Sequence, residues 1–221
     1  MNTKTYGVIF DMDGVLVDSY QPHLKSWQMV AKEFGHDLTE QQFAQTFGRV
    51  SAEIIRTNWG THITDEEIAR FDRRKEAVYR DLIRSDIPAV PGLHELLPKL
   101  AADAARISVG SSGPIENVEL VLTGLKIKQY FNAVVSSKDV TRGKPDPQVF
   151  QTAAQRLELP SDRCVVVEDA PAGIEAAHRA GMKVIALTTS YSVDRISDAD
   201  LICRDLSEIS PQKIRTLLKF S

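Results

Sequence analysis

Hydrophobic spacing changes twice along this chain, and the changes mark its organisation. A short apolar run, Val8, Ile9 and Phe10, ends before a glycine at Gly14, the pattern of a strand entering a turn. From Ser19 to about Ser85 the apolar positions fall at helical spacing. Leu24, Trp27, Val30, Ala31 and Phe34 form one stripe, closed by Gly35. Thr39 opens a shorter helix with Phe43 and Phe47, Gly48 breaks it, and Ile54, Ile55 and Trp59 mark a third. Thr64 followed by Glu67 is a capping box for a fourth, carrying Ile68, Phe71, Val78, Leu82 and Ile83.

Beyond Pro88 the texture alternates. Pro91 and Gly92 introduce a helix through Leu100, and apolar runs follow at 106–110, 133–136, 164–168, 183–187 and 200–203. Helical segments near 114–124, 147–158, 171–180 and 208–219 separate them. Short continuous β-rich runs alternating with helices predict parallel strands covered on both faces. The expected fold is therefore α/β, a doubly wound parallel-sheet (Rossmann-like) core of residues 1–15 and 88–221. Residues 16–87 form an inserted α-helical cap, with hinge connections near Val15–Ser19 and Arg84–Val90.

Composition narrows this picture only a little. A chain of 221 residues can bury a full core, and a net charge of −3 gives no reason to expect a nucleic-acid or membrane partner. A small anionic substrate would need a local positive site. The start, MNTKTYGVIFD, lacks a long apolar stretch, so no signal peptide or membrane span is expected, and the expectation is a cytoplasmic monomer. Cys164 and Cys203 each border an apolar run, as buried thiols do, rather than forming a disulfide or zinc site.

The chemistry gathers where strands end. Ligands of open parallel sheets lie beyond the carboxyl ends of the strands. There the chain places Asp11 and Asp13, then Ser111, Ser112 and Gly113, then Lys144 in RGKPDP, then Glu168 and Asp169. Two carboxylates leaving one buried strand repel each other unless a hard cation such as Mg²⁺, or a shared proton, lies between them. A calcium loop does not fit, because Val15, Leu16 and Val17 occupy the positions of its further oxygen ligands. Taken singly, the serines could cap a helix, Lys144 could be a solvated loop lysine, and Glu168 with Asp169 could cap the next helix. No P-loop and no G-x-S-x-G elbow is present. Together the groups compose a phosphoryl-transfer site, in which acids hold Mg²⁺ while a lysine and serine amides neutralise phosphate.

Four motifs, DMDGVLVDS, VGSS, GKPDP and VVVEDAPAGIEAAHRAGM, follow one another in this order. In them the chain resembles the haloacid dehalogenase superfamily, in particular the members with a helical cap after the first strand, which include β-phosphoglucomutase and the phosphoglycolate and sugar phosphatases. The resemblance implies that Asp11 attacks phosphorus and that Asp13 acts as acid and then base. It also implies that Ser111, with Gly14, Ser112 and Gly113, holds the phosphoryl group, and that Lys144 offsets charge. Mg²⁺ would be held by Asp11, the Asp13 carbonyl, Asp169 and Glu168. True haloacid dehalogenases lack the second aspartate, so Asp13 points to phosphate chemistry.

The cap carries the choice between hydrolysis and isomerisation. Ser19, His23 and Lys75, with Tyr79 one turn later, resemble mutase residues, although His23 could equally be a surface histidine and Lys75 a solvated one. A mutase also needs a clamp for a distal phosphate. Here Ser51 takes the expected arginine position, Arg49 falls two residues early, and Gly113 and Pro114 replace a basic residue. Hydrolysis of a small phosphomonoester is the leading expectation. A phosphosugar mutase is the alternative, and an inactive binding module the third.

Overall fold

The first apolar run forms β1, Gly7–Phe10, with every residue buried. The protein is described here by a computed structural model that covers residues 5–47 and 50–219. Strands β2 (Arg106–Gly110), β3 (Ala133–Val135), β4 (Cys164–Glu168), β5 (Lys183–Leu187) and β6 (Leu201–Cys203) complete a six-stranded sheet of order β3-β2-β1-β4-β5-β6. All the pairings are parallel. This is the doubly wound α/β arrangement that the alternation of patterns predicts. Between the strands run α5 (Leu93–Ala102), α6 (Ile115–Gly124), α7 (Gln148–Arg156) and α8 (Pro171–Arg179), and α9 (Pro211–Leu217) follows β6.

Register brings the strand ends to one level. Phe10 lies opposite both Val109 and Val167, so the next residues, Asp11, Gly110 and Glu168, stand side by side at the strand ends. The ladder continues one step further, with the Asp11 N–H donating to the Val167 carbonyl at 2.9 Å and the Ser111 N–H to that of Val135 at 3.0 Å. Beneath them Ile9, Val166 and Val184 pack with Phe150 and Ile174 in one core. That burial of β-branched and aromatic side chains holds the carboxylate-bearing ends rigid.

The chain divides into two units, Met1–Asp18 with Pro88–Ser221, and Ser19–Ile87. The way out of β1 is a tight, buried turn. Gly14 has φ +72°, its N–H donates to the Val17 carbonyl at 2.8 Å, and Leu16 N–H donates to that of Met12 at 2.9 Å. Val17 bridges Asp13 and Ala89, and the Asp18 N–H meets the Pro88 carbonyl at 2.7 Å. Residues 16–18 thus belong to the sheet-bearing unit, and the expected hinge is hydrogen-bonded and buried over Val15–Val17.

Among the described residues, four helices form the other unit: α1 (Tyr20–Glu33), α2 (Glu40–Thr46), α3 (Ser51–Trp59) and α4 (Asp65–Ile83). Leu24, Trp27, Phe43, Ile55, Phe71 and Val78 share its core. Arg74 on α4 grips Glu33 on α1 with two bonds of 2.8 Å, and Ser51 donates to Asp72, tying α3 to α4. The Thr64–Glu67 capping box is present, and a second one, Thr39–Gln42, starts α2.

Some ends differ from the sequence reading. The run at 133–136 stops at Val135 because the Ser136 N–H and hydroxyl turn to the Asp139 carboxylate. The last helix begins at Pro211, capped by Ser210, after a separate short turn at Leu206–Glu208.

Thr64 tests the capping argument. Replacing Ser or Thr at an N-cap by Ala costs about 1 kcal/mol, so Thr64→Ala should lower the urea midpoint of the helical signal, and Thr64→Ser should recover most of it. An alanine variant as stable as the parent would show that the box contributes nothing.

Candidate functional site

At the carboxyl edge of the sheet, oxygens of Asp11, Glu168 and Asp169 all lie within 4.8 Å of one another, and all three residues are buried. Lys144 meets two of them. Its Nζ donates to Asp11 Oδ1 at 2.8 Å and to Glu168 Oε1 at 2.6 Å, while resting 4.9 Å from the centre of the Phe150 ring. The bland reading of Lys144 as a solvated loop lysine is excluded, since its side chain is only 11% exposed.

Glu168 is held from its far side as well. Its Oε2 accepts the N–H groups of Asp169 and Ala170 at 2.7 and 2.8 Å, so it anchors the turn into α8. Two glycines make room for the acids. At Gly173, in the first turn of α8, a Cβ would collide with the Glu168 carboxylate. At Gly14 a Cβ would collide with Asp169, and the positive φ there strains any L side chain.

The electrostatics are unbalanced. With all groups ionised, three carboxylates and one ammonium leave a buried surplus of two negative charges. Like charges at this separation repel by roughly 3 kcal/mol per pair at an effective dielectric of ~20. Burial, with the Glu168 and Asp13 charges adding to it, outweighs Lys144 and raises the Asp11 carboxyl to about 7. Burial, then Glu168 and Asp11, push Asp169 well above the usual carboxylate range. Burial alone would lower the Lys144 ammonium, but the Asp11 and Glu168 charges together hold it above its ordinary value. An all-oxygen donor set with two surplus charges fits a hard divalent cation.

Ser111 is buried at the end of β2. It does not cap α6, because Pro114 takes the N-cap position without a side-chain bond, and Ser111 Oγ instead accepts the Gly113 N–H at 3.0 Å. Ser112 is exposed, and Gly113 and Asp13 are half-buried. The sequence reading missed the loop after β5, where Thr189 Oγ1 donates to the Gly14 carbonyl at 2.6 Å and Ser190 bonds the Asp169 side chain. The signal was available: TTS follows the apolar run KVIAL as the other polar groups follow theirs.

Ser19, His23 and Lys75 belong to the helical unit. His23 is buried and stacked on Tyr79, with ring centres 4.0 Å apart and planes 6° from parallel. Lys75 is buried too, pairing with Glu76 at 2.8 Å, its Nζ 5.8 Å from the Trp27 ring and 5.7 Å from that of Tyr79. Neither matches the surface alternative. Ser19 is fully buried at the N-cap of α1, with no capping bond from its side chain. Arg49 lies outside the described residues. A cavity of about 620 Å³ in this unit is lined by Phe34, His36, Trp59 and Arg70 among others, and contains none of the clustered carboxylates. Among the described residues no helix is long and apolar enough to cross a membrane.

Comparison with known proteins places these features in a wider group. A family model described as haloacid dehalogenase-like hydrolase matches residues 8–187. The chain is 33% identical over 207 residues to validoxylamine A 7'-phosphate phosphatase of Streptomyces hygroscopicus, covering 91% of this chain and 94% of the relative. It is 32% identical over 211 residues to β-phosphoglucomutase of Bacillus subtilis, covering 92% and 91%. Its fold superposes with a TM-score of 0.88 on the crystal structure of a HAD hydrolase, family IA, variant 3, from Entamoeba histolytica, at 25% identity over 97% of this chain and 99% of that one.

The surplus charge has a measurable consequence. Asp11 binds a proton more tightly when folded, at about 7, than its ordinary value of 3.8. Between about pH 4 and pH 7 the folded state therefore holds more protons, and stability falls as pH rises. Asp169 acts in the same direction. In chelator-treated protein the unfolding free energy should drop by a few kcal/mol from about pH 5 to pH 8, Mg²⁺ should restore more at the higher pH, and Asp11→Asn should flatten the slope. Stability that is level or rises over this range would contradict the charge accounting.

Proposed function

Starting from the chain's membership of the haloacid dehalogenase-like hydrolase family, we propose that it is a Mg²⁺-dependent phosphatase of small phosphomonoesters that works through an aspartyl phosphate on Asp11. The observation that carries this reading is Lys144 bridging Asp11 and Glu168 inside a buried three-carboxylate cluster at the strand ends. A nucleophilic carboxylate must be oriented and shielded from the charge of its target, and the arrangement supports both requirements. Lys144 grips Oδ1 and so fixes the rotation of the Asp11 carboxylate. Its positive charge lowers the repulsion between Asp11 and an incoming phosphate.

Asp11, Asp169, Glu168 and the Asp13 carbonyl would hold Mg²⁺, which when bound supplies the charge that keeps the acids ionised and the phosphate neutralised. In the first half of the reaction an Asp11 oxygen bonds to phosphorus as the bond from phosphorus to the leaving oxygen breaks. Asp13 gives that oxygen its proton. In the second half Asp13 takes a proton from water, the water oxygen bonds to phosphorus, and the bond to Asp11 breaks, releasing phosphate. Ser111 and the loop at Ser112 and Gly113 receive the phosphoryl oxygens. Within the helical unit the candidates for substrate selection are His23, a buried imidazole, and Lys75, a buried ammonium paired with Glu76.

The B. subtilis relative keeps the mutase as the second reading. Against it, the side chain of Ser51, at the position where a distal-phosphate arginine is expected, is already committed to Asp72.

Phosphate release from p-nitrophenyl phosphate and a panel of sugar phosphates should require Mg²⁺ and fall by about 10³-fold or more in Asp11→Asn. Conversion of β-glucose 1-phosphate to glucose 6-phosphate, with a bisphosphate activator and no free phosphate, would establish the mutase. An Asp11→Asn variant as active as the parent would overturn both readings.

A further inference from the structure

Lys144 reaches the carboxylates from a loop, not from a strand or helix, and it must meet groups on β1 and β4 at once. One side chain ties the start of its loop to α7, while Arg142 pairs with Asp146 at 3.0 Å within the loop. Gln148, the first residue of α7, turns back so that its Oε1 accepts the Thr141 N–H at 2.9 Å, the Arg142 N–H at 3.0 Å and the Thr141 hydroxyl at 3.2 Å. The Gln148 N–H in turn donates to Asp146 Oδ1 at 3.0 Å, and the Asp146 N–H to the Gly143 carbonyl at 3.0 Å. These bonds close a ring from Thr141 to Gln148 with Lys144 inside it.

Three donors converge on one carbonyl oxygen, whose two lone pairs they share, and two of them are backbone N–H groups. Gln148 begins the helix that also carries Phe150, whose ring lies under the Lys144 ammonium. The same helix therefore fixes the floor beneath the lysine and the backbone that delivers it. Its far end secures the start of the connection, where Arg156 donates to the Val134 carbonyl and meets Asp139 at 2.6 Å.

We propose that Gln148 is a positioning residue for Lys144, clamping residues 141 and 142 so that the ammonium stays within hydrogen-bond reach of Asp11 and Glu168 together. This rests on the role given to Lys144 under the proposed function. A misplacement of about 1 Å at a reacting group can cost about 10²-fold in rate, whereas a glutamine that only stabilises a surface loop would leave turnover alone.

The test compares Gln148→Leu, which keeps the helix and loses the acceptor, with Gln148→Glu, which keeps an acceptor in place. With p-nitrophenyl phosphate and Mg²⁺, Gln148→Leu should lower kcat by about 10- to 100-fold with KM changed by less than about threefold, and Gln148→Glu should recover kcat to within about threefold. Placed in a Lys144→Met background, the leucine change should have less than about a twofold effect, because a residue acting through another loses its influence when that partner is gone. Normal kcat in Gln148→Leu, equal loss in Gln148→Glu, or an undiminished effect in the Lys144→Met background would each overturn the proposal. If Gln148→Leu folds poorly, Gln148→Ala is judged by the same criteria. Full activity in Lys144→Met itself would sink the reading of the site, whereas an inactive Lys144→Met beside a fully active Gln148→Leu would sink only the positioning role.

Discussion

A single ammonium group placed between two buried carboxylates is the constraint on which the rest of the site depends. Removing an ion from water costs several kcal/mol even after relaxation, and three carboxylates lie together here. Lys144 repays part of that cost, and the N–H groups of Asp169 and Ala170 repay another part at Glu168. What remains is a deficit of positive charge at one point. Such a deficit is tolerable in a folded protein only where protons or a cation complete it, which is why the same geometry reads as a metal centre and as a place to bring phosphate.

The sheet makes this concentration possible. Parallel pairing delivers the ends of β1, β2 and β4 to one edge, and the shared register of Phe10, Val109 and Val167 sets their side chains at one height. Close approach then needs the absence of Cβ atoms at Gly14 and Gly173, where any larger residue would meet a carboxylate. The helices contribute what the strands cannot: α7 supplies Phe150 and the Gln148 clamp, and the turn before α8 supplies backbone donors. The tight turn from Met12 to Val17 keeps Asp11 and Asp13 on the sheet-bearing unit even as the chain departs for the helical one.

Much of this was legible in the sequence because strand and helix differ in period, and buried parallel strands are short apolar runs between turn signals. The residues of β1, β2, β4 and β5 stand out on that ground, as does the Thr64–Glu67 start of α4. Ends governed by side-chain bonds were less visible: Ser136 and Asp139 have capping-box spacing, but the apolar run AVV does not show that the strand yields to it. The Thr39–Gln42 box carries the same spacing signal as Thr64–Glu67. Burial of Lys75 and His23 was not readable, because a lone polar residue on an amphipathic helix looks the same whether it points outward or is enclosed by Trp27 and Tyr79. The grip of Gln148 on residues 141 and 142 depends on a loop conformation that no local pattern encodes.

The central claim is that Asp11 itself becomes phosphorylated, and a covalent trap addresses it most directly. Acyl phosphates are reduced by borohydride to alcohols, whereas free carboxylates are not. Protein quenched during turnover of a phosphomonoester with Mg²⁺, reduced, digested and examined by mass spectrometry should carry homoserine at position 11, and none when substrate is omitted. Sustained turnover with an unmodified Asp11 peptide, or with the reduced residue at another carboxylate, would contradict the account.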